Sequence, residues 1–422
     1  MSRAAGSLLG RQALFGWLNF ALALPSIYLL LGLPLVMRQH GWSGTDIGLF
    51  QLAGLPAVFK FLLALPVERW RFSGGHYRGW ALLLCLLLAV TLALIGRQEL
   101  LGNRGLLFVL ALCAGVLATW ADIPVNALAI KLLPESERMR AGAIRSAALF
   151  LAAIAGSGLM LLVHERWGWQ APFLLIAAAL LLGAALLPLL GEAAPAPPAA
   201  CPRTAPGDGW RGYFEQPGAR LWTFLLLLSF PFVGACWLYL KPLLLDQGMP
   251  AERVAWLAGV GGGVIGALAS VASARLIRLI GAAQAMPLFT GFALLALASL
   301  TAAVWLGAGT LGLVVGAALV AAAMGAISAL VFGLMMFFTR QQRQAADYGL
   351  QASLFVVSRL AVPVLAGVAL DRLGYTGMLL GLTLAMLGVA GLALGSRQTL
   401  AQVTEQEEGR RLAAMEADGR CP

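Results

Sequence analysis

The sequence predicts an all-α membrane protein of twelve transmembrane helices, arranged as two six-helix bundles in pseudo-twofold repeat. Three observations lead there. The 422 residues are 60% hydrophobic and only 11% charged, with a mean hydropathy of +0.85, whereas soluble domains carry roughly 25% charged residues. That leaves too little polar surface to coat a water-facing globule, and lipid around the chain resolves the shortage. Apolar stretches long enough to cross hydrocarbon recur along the whole chain, and distant segments match at one constant offset.

A crossing helix needs about 20 apolar residues. By that rule the spans fall at 12–37, 46–66, 79–96, 105–130, 142–163, 169–190, 220–245, 253–273, 284–305, 310–338, 347–370 and 375–395. The first is uncharged from Gln12 to Met37, too long for a signal-peptide core, and reads as a retained helix. The ninth and tenth share one uncharged stretch, divided at Gly307-Ala308-Gly309, its best turn signal. Between the sixth and seventh lies GEAAPAPPAACPRTAPGDG, whose Pro, Gly and Ala mark a flexible linker. The organisation is therefore a first bundle over 1–190, a linker over 191–219, a second bundle over 220–396 and a tail over 397–422.

The repeat is read from pairs 207 residues apart: Gly142 with Gly349, Ser146 with Ser353, Gly41 with Gly248, and Ile47 with Val254. After a one-residue slip Glu165-Arg166 pairs with Asp371-Arg372. Two parallel six-helix repeats are the architecture of the major facilitator superfamily. Most of the 29 Lys and Arg residues fall in segments on the side of the termini, which places both termini in the cytoplasm.

The net charge of +10 does not indicate nucleic-acid binding, because the basic residues form short clusters between apolar runs and not an exposed stripe. Cys85, Cys113 and Cys236 lie in apolar runs and Cys201 and Cys421 in polar ones, with no disulfide framework or metal spacing. GVGGGVIG at 259–266 lacks the following Lys-Ser/Thr of a phosphate-binding loop, so its glycines more plausibly let helices approach closely. No HExxH or GxSxG occurs. The expectation is a non-enzyme with no metal or cofactor, monomeric in a lipid bilayer.

Charged residues inside spans cost on the order of 2.5–3.5 kcal/mol each at mid-bilayer, so each calls for a role. Lys60, Asp122, Arg145 and Arg359 qualify, and Lys241 ends the seventh span. Asp122 is the candidate proton-coupling carboxylate, and Arg145 and Arg359 are candidate anion partners. The alternative for Asp122 is a buried pair with Arg145 or Lys60 that only joins helices. Lys60, Glu68 and Arg69, with Arg71 and Arg78 in the loop after the second span, are candidates for gating. Tyr28 and Trp120 are candidate stacking surfaces, and Tyr239 and Asn126 further candidates for substrate contact.

Three segments carry a family resemblance: LPAVFKFLLALPVER, ADIPVNALAIKLLPESERMRAGAI and HERWGW. They resemble the branch of the superfamily that contains the AmpG-type muropeptide permeases and the RhtX/FptX-type siderophore permeases. Lys60, Phe61, Leu62 and Arg69 match that branch's LPW-x-x-K-F-L-W-A-P-x-x-D-R pattern, with Pro66 one position beyond its Pro, Glu68 for Asp and Ala57 for Trp. Asp122 and Ile123 match its QDI-x-x-D pattern, with Ala121 for Gln and Asn126 for the second Asp. The resemblance implies a bacterial inner-membrane importer working by alternating access and coupled to protons. The missing second acid favours the siderophore side, which implies uptake of a pyochelin-like ferric siderophore. A muropeptide or sugar-peptide permease, a drug exporter, a membrane-embedded enzyme and a non-transporting partner are the rival readings.

Overall fold

The computed structural model describes residues 2–70, 72, 75–97, 99–192, 210–340 and 343–402. Arg71, most of the linker (193–209) and most of the tail (403–422) lie outside the described residues. Among the described residues, eleven helices are long and apolar enough to cross a membrane. They are α1 (Leu8–Gln39), α2 (Gln51–Arg69), α3 (His76–Arg97), α4 (Arg104–Leu132), α5 (Glu135–Trp167), α6 (Gln170–Leu189), α7 (Ala219–Asp246), α8 (Glu252–Ile280), α9 (Ala282–Trp305), α10 (Gly309–Phe337) and a 52-residue stretch, Gln344–Gly395. That stretch breaks at Gly374, whose φ of 68° is left-handed and open to glycine at little cost. Its parts are α11 (344–373) and α12 (375–395), which makes twelve spans, as the sequence predicts. The break between α9 and α10 falls at the Gly307–Gly309 turn read from the sequence.

An even number of crossings puts both ends of the chain at one end of the bundle, here called the terminal end. The two halves, α1–α6 and α7–α12, meet through α5 on α8 and α10 and through α2 on α11. Small residues allow this contact. A Cβ added to Gly142 of α5 would lie 2.2 Å from the Gly333 nitrogen of α10, so the two backbones touch directly, as small residues permit between membrane helices.

Several spans are irregular, one of them where the site is built. The first part of α2, Gln51–Phe59, is wound as a 3-10 helix and the rest, from Lys60, as an α-helix. At that junction the Phe61 amide leaves its own helix and donates to Ser353 Oγ of α11 at 3.1 Å. Helices α1 and α5 each carry a π turn, Tyr28–Gly32 and Ala155–Leu159, and these turns pack on each other. Such turns recur at functional sites.

Candidate functional site

Asp122 of α4 is the hub of a buried polar cluster. Lys60 Nζ donates to its Oδ2 at 2.6 Å. Arg145 of α5 takes both oxygens in a fork, at 2.9 Å and 3.3 Å, the bidentate geometry that suits guanidinium to carboxylate. Asn126, one turn along α4, donates to Oδ1 at 3.0 Å. The fifth donor comes from the other half of the molecule: Tyr348 Oη of α11, 3.1 Å from Oδ2. All five residues are buried. Asn19 of α1 completes the cluster by accepting from Arg145 Nη1 at 2.5 Å. The Arg145 guanidinium also lies over the Phe332 and Tyr348 rings, at 5.0 Å and 5.6 Å, close enough for cation–π attraction.

The charges do not cancel. One carboxylate faces two cations, leaving the cluster at +1, and both pairings weighed from the sequence exist at once. Asp122 lies about ten residues from the end of α4, so the cluster sits ~15 Å in from the terminal end.

Nearer that end a second carboxylate joins the halves. Glu68 accepts from the Ala345 and Ala346 amides at 2.8 Å and 3.1 Å, the unpaired N–H groups at the start of α11, where negative charge is favoured. The Tyr77 hydroxyl donates to Gln344 Oε1 at 3.0 Å and approaches Glu68 Oε1 at 3.3 Å. Just past α6, Glu192 accepts from Lys131 Nζ at 2.7 Å and from the Tyr77 and Arg78 amides at 3.3 Å and 3.0 Å. Burial opposes its ionisation, but these donors outweigh that and hold its carboxyl below the usual range.

Deeper in the interface, Ser146 of α5 bonds Ser270 of α8 at 2.8 Å and also bonds Ser328 of α10. Its repeat mate Ser353 makes the bond to Phe61. The serine pair found at the 207-residue offset thus joins the halves at two pseudo-symmetric places. Among the described residues, every hydrogen bond between the halves lies between this level and the terminal end.

The remaining candidates are placed as follows. Tyr28 is fully buried inside the first half, edge-on to Phe173 at 5.3 Å, with its hydroxyl 3.5 Å from His164 Nδ1. Trp120 packs on Trp80 at 5.5 Å, on the side of α4 away from Asp122. Tyr239 donates to the Pro363 carbonyl at 2.9 Å, joining α7 to α11 within the second half. Arg69 is exposed at the end of α2. Arg359 is exposed and makes no ion pair or hydrogen bond among the described residues. The sequence reading missed Asn19 and Tyr348. Asn19 was visible as a lone amide inside an uncharged span, whereas Tyr348 had no signal, since a tyrosine near a helix start reads as an interfacial anchor.

A family model described as the Major Facilitator Superfamily matches residues 13–363. The chain belongs to that superfamily. Anhydromuropeptide permease of Escherichia coli (strain K12) is 32% identical over 165 residues, which cover 36% of this chain and 33% of that protein. The chain thus spans about a third of the length of the curated relatives it matches. Among solved structures, the transporter FucP in its outward conformation superposes with a TM-score of 0.70 at 19% identity, over 90% of this chain and 97% of that one. A bacterial homologue of the iron transporter ferroportin, in its outward-facing state, superposes at 0.69 with 16% identity, over 91% and 98%. These likenesses give the fold, that of a multi-pass Major Facilitator Superfamily transporter.

With the bonds between halves concentrated at one end, these contacts are expected to act as a latch. Glu68→Gln keeps an acceptor but removes the charge facing the α11 amides, a loss of about 1–2 kcal/mol. The latched state should fall roughly 5- to 30-fold relative to the open one. Labelling of Ser353→Cys by an impermeant maleimide, in a background free of other cysteines, should speed up accordingly. Unchanged labelling would show that Glu68 is not part of the latch.

Proposed function

We propose that this superfamily transporter carries a muropeptide-class solute, a sugar joined to a short peptide, inward across a bacterial inner membrane by alternating access. Both termini lie in the cytoplasm in this reading, and protons drive the cycle through Asp122. The observation that carries it is the bond from Tyr348 to Asp122. It joins a carboxylate of one half to a hydroxyl of the other, so opening the terminal end must take it apart. With five donors on two oxygens, Asp122 has little room for a proton in the latched state. Parting the halves frees a lone pair, which is how a proton gradient and a conformational change can share one group. The muropeptide assignment is supported by the local likeness to anhydromuropeptide permease.

A second reading, uptake of a pyochelin-like ferric siderophore, has one observation in its favour. Neutral Asn126 stands where the family branch has a second acid, and the cluster is net positive. Drug export has no such support.

Purified protein in liposomes, energised by an inward proton gradient, should accumulate labelled anhydromuropeptide, and an uncoupler should abolish accumulation. Accumulation of ferric pyochelin with no anhydromuropeptide flux would transfer the assignment to the second reading. Flux of neither, in vesicles shown to hold folded protein, would remove both.

A further inference from the structure

Among the described residues, Arg359 is a cation with no counter-ion, at a depth where that is costly. Its position on α11 decides what it faces. A helix turns 100° per residue, so Tyr348, Ala352, Phe355, Arg359 and Ala366 share one stripe to within about 40°. Four of these five are buried: Tyr348, Ala352, Phe355 and Ala366. Tyr348 touches Asp122 of the first half and Phe355 packs on Phe230 and Phe332 of the second, so the stripe looks into the molecule. The opposite face carries Val357, Val364 and Val368, all exposed and all apolar, as lipid contact requires. The exposure of Arg359 is therefore not exposure to lipid. By its place on that stripe it points into the molecule, ~16 Å along α11 from Tyr348 and, among the described residues, beyond the last hydrogen bond that joins the halves.

We propose that Arg359 is the anion receptor of the transport site and that it selects solutes bearing a carboxylate. The proposal rests on the transporter reading above and narrows its substrate class. The cluster below is already at +1, and no carboxylate among the described residues pairs with the guanidinium. A planar carboxylate meets its fork with two hydrogen bonds and supplies the missing charge. Lys60, whose ammonium is spent on Asp122, is not free for this task. The same preference would hold for a muropeptide with free peptide carboxylates and for an acidic siderophore, and it excludes amidated or cationic solutes.

The test separates anion recognition from transport. Purified protein in detergent is titrated with sodium glutarate against matched sodium chloride, and its melting temperature is followed. Glutarate should stabilise the wild type, stabilise Arg359→Lys less, and leave Arg359→Gln unmoved, while Lys241→Gln, on a different helix, responds like wild type. No response in the wild type, or an equal one in Arg359→Gln, overturns the proposal. In liposomes Arg359→Gln should raise KM for labelled muramyl dipeptide by on the order of 10- to 100-fold, the worth of a charge-assisted pair, with little change in maximal rate. Amidating the dipeptide's carboxylates should reproduce that loss in the wild type and add nothing in the variant. Absence of dipeptide flux in the wild type, with the glutarate response intact, would fault the muropeptide assignment and leave the receptor standing.

Discussion

Replacing Asp122 by Ala is expected to produce the largest loss of stability of any single change in the first half. Lys60 and Arg145 converge on this carboxylate from two helices, at 2.6 Å and 2.9 Å, and both are buried. Without it, two like charges face each other with no counter-ion and little water. Removing one partner of a buried ion pair costs about 3–5 kcal/mol. The Tyr348 hydroxyl and the Asn126 amide lose an acceptor as well. Asp122→Ala should therefore melt well below wild type in detergent and show no transport. Asp122→Asn should keep part of the hydrogen bonding but still fail to transport. The double variant Asp122→Asn/Lys60→Met relieves the excess charge. It should regain stability without regaining transport, a non-additive result of the kind that marks a coupled pair. If the double variant is no more stable than Asp122→Asn, the charge account of the cluster is wrong.

The second large effect is expected at Gly142, and it acts on the conformational cycle more than on folding. A Cβ there would meet the backbone of Gly333 and Phe332 at 2.2–2.7 Å. Backbone cannot rotate out of the way, so α5 and α10 must separate. The clash lies between halves, and each half keeps its own packing. Overpacking of this kind costs about 1–3 kcal/mol, enough to shift a two-state balance 5- to 150-fold. Gly142→Ala should cut transport by about an order of magnitude or more, and Gly142→Leu should abolish it. Spin labels at the terminal ends of α5 and α10 should report a longer distance in both variants. Gly333→Ala is the useful contrast, because its new Cβ first meets the flexible Met139 sulfur, at 2.6 Å. Its effect should be smaller. Equal transport in Gly142→Leu and wild type would mean that the terminal end does not close in the working cycle.

Much of the fold was legible from the chain alone because lipid imposes a one-dimensional rule. Nearly every backbone amide in hydrocarbon is paired within its own helix, so the length and polarity of each run determine a span without knowledge of its neighbours. Hence twelve crossings were readable, as were the glycine turn before α10 and the kinship of Ser146 with Ser353. Asp122, Lys60 and Arg145 could be singled out on the same ground, since charge inside a span needs an explanation.

What that rule cannot give is which face of a helix meets which neighbour, because hydropathy is nearly uniform around these spans. Tyr28 and Trp120 looked as available for a solute as any aromatic at their depth, and only packing shows them inside the first half. Asn19 and Tyr348, on α1 and α11, lie far from Asp122 in sequence and join its cluster, through Arg145 and directly, only when the helices are assembled and the halves meet.

By itself, then, the sequence determined the number of crossings, the repeat and the charges that demand a purpose, because burial in lipid is decided residue by residue along a single helix. Tertiary structure alone decided that Asp122 is shared by both halves while Arg359 finds no ion-pair partner among the described residues. Hydrogen bonds and ion pairs depend on directions and on distances of about 3 Å, and those exist only once helices remote in the chain are set side by side.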